Sequence, residues 1–277
     1  MKIVFIGGVE IGYTVLESVY ASGYSVDTIF TLPDDSMVSG YIDFSPLAIH
    51  HETQLIRTNK INDQEYIQTI TQIQPDLIIV CGWQRLVSQE ILDIPRLGTI
   101  GFHSSLLPKY RGRAPVNWAI IMGEKETGIT MFYLTAEADA GDIIAQKSFP
   151  ILLNDDCNTV YKKSAEVGAS LIEMYLPLLE KDKAPRVHNP SISYPAYPKR
   201  TPVDGRIDFN RSAIDIYNFV RALTKPYPGA YFYNHDGEKI IVWKIGIIFN
   251  QEVKSLSKYC FSTLDLDIEI LEYEKGE

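Results

Sequence analysis

An α/β fold, with a mostly parallel sheet and helices on both faces, is predicted by three features of this sequence. Lys2–Ile6 and Pro75–Val80 are continuous apolar runs, and strands covered on both faces need no polar alternation. The first run ends in Gly7-Gly8 and is followed by helical spacing over Ile11–Ala21, the strand–glycine–helix order that opens a Rossmann-like unit. Further strand-like and helix-like stretches then alternate as far as the long amphipathic stretch Asp156–Leu179, which Asp155 or Asp156 begins.

Taken in order, the glycines after the first strand do not make G-x-G-x-x-G. The turn therefore reads as packing, and as a wall for a nucleotide, rather than as a dinucleotide site. Ser25–Thr31 is the second strand, and Leu32–Phe44, with the acidic Pro33-Asp-Asp-Ser36, is loop. Leu55–Thr58 is a short third strand and Asp63–Ile73 a helix. Pro75–Val80 leads into Cys81–Leu86 at the carboxyl edge of the sheet, where open α/β sheets bind ligands. Leu97–Phe102 is a strand that runs out at His103. Pro108, Gly112 and Pro115 break helix and strand alike, so Ser104–Ala114 is an ordered loop, with a short helix over Val116–Met122. Glu126–Tyr133 is a β-branched and aromatic strand leading to the turn Thr135–Asp142, and Ile143–Ile151 is another strand. Lys181–Ile207, rich in proline and polar residues, reads as a crossing linker. Ser212–Leu223 is a helix, Ala230–Tyr233 and Lys239–Ile248 form a hairpin turning at Asp236-Gly237, and Leu264–Leu271 is a last strand.

Two stretches carry chemistry. His103 stands at a strand end, and Lys109, Arg111 and Arg113 put three cations into a chain whose net charge is -9. A basic cluster on an acidic protein suggests an anionic substrate such as a phosphate. Asp139, followed by Ala140 and Gly141, presents a carboxylate from a tight turn, and a His–Asp couple moves protons near neutral pH. A histidine at a strand end is as readily structural, and the Lys-Tyr-Arg-Gly-Arg run as readily a solvated loop. The acidic balance argues against a large nucleic-acid footprint. Hydrophobic content of 45% and charged content of 22% are ordinary for a soluble globular protein. No apolar run approaches a membrane span, and Met1–Ile6 lacks a cleavable signal pattern. Three scattered cysteines without a metal pattern point to a reduced, cytoplasmic setting and no metal.

His103-x-Ser105-Leu106-Leu107-Pro108, Tyr110-Arg111-Gly112, Ala114-Pro115 and Asp139-Ala140-Gly141 match, in order and spacing, the folate-dependent formyltransferases. That family includes glycinamide ribonucleotide transformylase, methionyl-tRNA formyltransferase and the sugar-nucleotide N-formyltransferases, and the likeness runs from Met1 to about Tyr233. Tyr194-Pro-Ala-Tyr-Pro-Lys-Arg-Thr-Pro resembles the family's joining segment. Pro226-Tyr-Pro-Gly-Ala230 with the hairpin resembles the C-terminal region of the amino-sugar enzymes, a β-barrel here cut down.

The resemblance implies a catalytic domain at 1–180, a linker at 181–206 and a small C-terminal domain at 207–277, through which a homodimer would form. It implies N10-formyltetrahydrofolate as co-substrate, held by Arg85, Leu86 and Val87 and by Thr135, Ala136, Glu137, Ala138 and Asp139. Catalysis falls to His103 and Asp139, with Gly101 where the family has asparagine. Ser104, Ser105, Lys109, Arg111 and Arg113 are left for the acceptor, a nucleotide-linked amino sugar of lipopolysaccharide or O-antigen type, with no nucleic acid or membrane as partner. Tyr194, Tyr197, Tyr227 and Trp243 are candidates to stack on its base. Methionyl-tRNA is the alternative acceptor, and a non-catalytic folate or nucleotide binder is the reading that Gly101 suggests.

Overall fold

The computed structural model describes residues 1–34, 38–193, 195–249 and 257–276. Asp35 and Ser36 of the acidic loop, and Tyr194, lie outside the described residues. The chain runs β1 (Ile3–Ile6), α1 (Glu10–Ala21), β2 (Thr28–Thr31), α2 (Ser45–His50), β3 (Gln54–Arg57), α3 (Gln64–Ile73), β4 (Leu77–Val80), α4 (Gln89–Leu92) and β5 (Thr99–His103). It continues through α5 (Pro115–Ile121), β6 (Glu126–Tyr133), β7 (Ile143–Pro150), α6 (Cys157–Glu180), α7 (Ala213–Ala222), β8 (Ala230–Tyr233), β9 (Lys239–Ile248), β10 (Cys260–Ser262) and β11 (Asp267–Lys275). The short helices α2 and α4 were not expected, because each spans too few residues to show a helical period.

Seven strands form one sheet in the order β3-β2-β1-β4-β5-β6-β7. The pairs β1–β2, β2–β3, β1–β4 and β4–β5 are parallel, and β5–β6 is antiparallel. The order reverses at β1 and β4, which puts a crevice at their carboxyl ends. Alternation explains why these strands read as unbroken apolar runs. Ile3, Phe5, Leu77 and Ile79 pack in one cluster with α1 and α6, whereas Val4, Ile6, Ile78 and Val80 pack in another with α3. A Cβ at Gly12 would stand 2.3 Å from the Cys81 carbonyl oxygen, and one at Gly7 2.5 Å from it. The opening glycines therefore serve close packing of α1 against the end of β4.

The chain divides into two compact units, interleaved in sequence. The first comprises Met1–Gly112, Gly128–Phe149 and Tyr161–Ala196, and the second Arg113–Thr127, Pro150–Val160 and Tyr197–Glu277. In the second, an antiparallel sheet of order β10-β11-β9-β8 packs Phe232, Ile240, Val242, Ile245, Ile268 and Ile270 with Ile216 and Val220 of α7. The last strand runs Asp267–Lys275 rather than Leu264–Leu271. Thr263 and Asp265 hydrogen-bond within their own turn, which holds that stretch out of the ladder. In the first unit, the proline-rich stretch is pinned rather than slack. Val187 pairs through its N–H and carbonyl with Ile143, and the Arg186 guanidinium lies 3.6 Å from the Tyr133 ring centroid. Among the described residues no helix is long and apolar enough to cross a membrane.

Candidate active site

β5 delivers Gly101 and His103 to the carboxyl edge of the sheet, level with Val80 of β4. Two positions apart on a strand, they face the same side. Past His103 the backbone leaves the ladder, and β6 and β7 hold it through side chains instead. The buried Thr130 hydroxyl donates to the Ser105 carbonyl (2.7 Å) and accepts from the Leu107 N–H (3.1 Å). Gln146 adds donors to Thr130 Oγ1 and the Leu107 carbonyl, both at 2.8 Å. The loop expected from its prolines and glycine is thus ordered by strand residues far away in sequence.

His103 and Asp139 do meet. Nδ1 of the imidazole lies 3.5 Å from Asp139 Oδ1, with side-chain exposures of 8% and 18%. His103 Nε2 lies 2.9 Å from the Tyr110 carbonyl, which only accepts, so Nε2 carries the proton. Nδ1 is therefore the nitrogen left to gain or lose a proton, and it faces the carboxylate. Asp139 has a left-handed φ of 56°, and its Oδ2 accepts from the Gly112 N–H at 2.9 Å. The turn allows no side chain at Gly141, whose Cβ would lie 1.8 Å from the Tyr133 carbonyl oxygen.

The other predicted residues divide by what they touch. Arg111 is directed into the turn, donating to the Ala138 carbonyl (3.1 Å) and the Glu137 carboxylate (2.8 Å) with 12% of its side chain exposed. Ser104 and Ser105 are buried. Ser164 donates to the Ser104 hydroxyl at 2.9 Å, and Ser105 donates to the Lys109 carbonyl at 2.6 Å. Lys109 is exposed. Arg113, also exposed, belongs to the second unit, where its N–H donates to the Tyr197 carbonyl. Thr135, Ala136, Glu137 and Ala138 form the exposed lip of the turn, and Thr135 Oγ1 donates to the Glu137 carbonyl. Arg85 reaches the Asn59 carbonyl, Leu86 is 62% exposed and Val87 is buried. Asn62 clasps this segment by donating to the Leu86 carbonyl and accepting from the Ser88 N–H. In the second unit, Tyr197 packs its ring near Trp118 and Lys225 lies over the Trp243 ring.

Sequence reasoning missed three residues here. Thr130 had a signal, a hydroxyl between Ile129 and Met131 in the apolar half of its strand. Leu134 occupies the space beside Gly101, its Cδ2 2.5 Å from where a Cβ there would stand. Asn189 is 3% exposed and donates to the carbonyls of both Asp139 and Gly141. Nothing in the sequence around Leu134 or Asn189 marks either one.

The family described as "Formyl transferase" matches residues 1–175, more than half of the chain, and "Formyl transferase, C-terminal domain" matches residues 199–259. The chain belongs to the formyl transferase family. It is 38% identical over 252 residues to a bifunctional polymyxin resistance protein ArnA of Wigglesworthia glossinidia brevipalpis, covering 90% of this chain and 38% of that protein. It is 35% identical over 253 residues to a methionyl-tRNA formyltransferase of Caldanaerobacter subterraneus subsp. tengcongensis, covering 90% of this chain and 81% of the relative. In three dimensions this formyl transferase resembles the N-formyltransferase of Helicobacter canadensis solved with folinic acid and dTDP-3-aminofucose. The TM-score is 0.73, with both chains covered in full at 18% identity, a likeness of fold.

Proposed function

We propose that this chain transfers the formyl group of N10-formyltetrahydrofolate to the primary amine of a nucleotide-linked amino sugar. The neutral amine attacks the formyl carbon, and the carbonyl becomes an oxyanion. The amine then loses a proton as the bond from carbon to N10 breaks and N10 is protonated, leaving a formamide and tetrahydrofolate. The observation that carries this reading is the His103–Asp139 couple with Nε2 held by a backbone carbonyl. A proton arriving at the imidazole lands on Nδ1, and the resulting cation faces the Asp139 carboxylate, which stabilises it. In that charged form the imidazolium stabilises the developing oxyanion by its positive charge, and Nδ1 returns its proton to N10. The exposed Leu86 beside buried Val87 suits the flat face of a pterin. Lys109 is an exposed cation of the loop that the phosphates of the acceptor would meet. The Helicobacter protein's folate and dTDP-sugar ligands support this choice of substrates.

The test is release of tetrahydrofolate with a panel of UDP- and dTDP-linked amino sugars. His103→Ala and Asp139→Asn should each lower kcat by orders of magnitude while folate binding persists; full turnover in either variant removes the couple from the mechanism. The 35% identity to a methionyl-tRNA formyltransferase keeps that acceptor as a second reading. Formylation of methionyl-tRNA, with no transfer to any amino sugar, would establish it.

A further inference from the structure

We propose that Asn189 is a positioning residue for this reaction, setting where the Asp139 carboxylate stands against His103. The proposal rests on the formyl-transfer reading. Asp139 sits in a turn whose lip, residues 135–138, is exposed, and its own backbone is left-handed at φ 56°. Left-handed backbone is unfavourable for a residue with a side chain, even for aspartate, which tolerates it better than most, so contacts from outside the turn count in holding it. Asn189 supplies the hold from outside the turn. Its amide nitrogen donates at 3.0 Å to the Asp139 carbonyl and at 3.0 Å to the Gly141 carbonyl, bracketing Ala140. One NH2 group carries two protons, so a single amide serves both oxygens, which a hydroxyl or a carboxylate cannot do.

The side chain is delivered by a strap. Val187 pairs with Ile143 in both directions (2.8 and 2.9 Å), and Arg186 lies on Tyr133. Tyr133 and Ile143 flank the turn on either side, so the strap grips both of its ends. With Gly112 N–H on Oδ2 and Arg111 on the Ala138 carbonyl, the carboxylate is fixed from the loop side as well. Misplacing a catalytic group by about 1 Å costs on the order of 100-fold in rate.

Asn189→Leu keeps the γ-branched outline, though it is larger, and removes both donors; Asn189→Asp keeps the shape and offers only acceptors to the two carbonyls. Per mole of folate-binding sites, both should lose about 10- to 100-fold in kcat, with the KM for folate and acceptor within about two-fold. Asn189→Gln, which retains the amide, should keep more of the activity than either. The imidazole 15N shifts of His103 should move in the Leu and Asp variants. Melting temperatures that fall while kcat per site and the His103 shifts stay unchanged would overturn the proposal, as would equal losses in all three variants. If Asn189→Leu does not fold, the Asp and Gln pair decides. If wild type transfers formyl to no acceptor, the functional reading fails and the NMR comparison decides alone. Moved shifts then sustain the positioning role, and unmoved shifts end it.

Discussion

Leu134 puts its Cδ2 2.5 Å and its Cγ 3.1 Å from the point where a Cβ at position 101 would stand. The space a second donor would need beside His103 is therefore filled by hydrocarbon. From sequence alone, Gly101→Asn would either add the family's donor and speed a slow enzyme or clash because the glycine serves a close approach; the packing favours the clash. Gly101→Asn should cost about 1–3 kcal/mol, as overpacking does, and give no gain in kcat. Gly101→Asn with Leu134→Ala should be more stable than the two separate costs imply, since the changes share one space. Additive melting-curve losses would show that the two residues do not compete. The meeting of His103 and Asp139 was legible because a histidine at a strand end and an aspartate in a tight turn are the residue types that a proton-moving pair would need. Leu134 was not, since a leucine after a strand looks the same whether it fills a core or a gap in a site.

Among the elements, the loop after β5 is the one whose existence its prolines and glycine announced and whose shape they did not. The hydroxyl of Thr130 in β6 and the amide of Gln146 in β7 hold its first turn. Thr130→Val removes the hydroxyl at nearly constant volume, leaving the buried Leu107 N–H without its acceptor and the Ser105 carbonyl without its donor. The expected cost is about 1–3 kcal/mol, read as a lower melting temperature, with a larger KM for the acceptor as the loop loosens. An unchanged melting temperature would mean that water replaces the hydroxyl. The parallel strands β1 and β4 were legible from their composition because both faces are buried. The strap was not, because proline-rich polar sequence describes a connector equally well whether it hangs free or is pinned by Val187 and Asn189.

At the scale of the molecule, burial and charge decide what reaches the protein. Cys81 and Cys157 are buried and Cys260 is exposed. Burial pushes the Cys81 thiol far up, and burial, with the nearby Asp156 charge adding to it, pushes Cys157 up to about 12. A disulfide reagent at neutral pH should therefore label one thiol fast in the native protein and all three in denaturant; a second fast thiol would show that one of the buried sites opens. Charge bears on the acceptor. With a net charge of -9, the chain as a whole repels a polyanion, and only local cations oppose this. Each phosphate neutralised on a nucleic acid steepens the salt dependence of binding by about 0.9 in log–log slope for a duplex. Affinity for tRNA that is purely electrostatic should thus lie near the non-specific range, about 10⁻⁴–10⁻⁶ M at physiological salt. A nucleoside diphosphate carries few charges and needs few cations, so the acidic whole penalises it little. A dTDP- or UDP-linked amino sugar at 100 times its Kd should add about 2.7 kcal/mol of stability, visible as a raised melting temperature. Methionyl-tRNA at micromolar concentration in 150 mM salt should add far less. Submicromolar tRNA binding that survives that salt, with no thermal shift from any nucleotide sugar, would transfer the assignment to the tRNA acceptor.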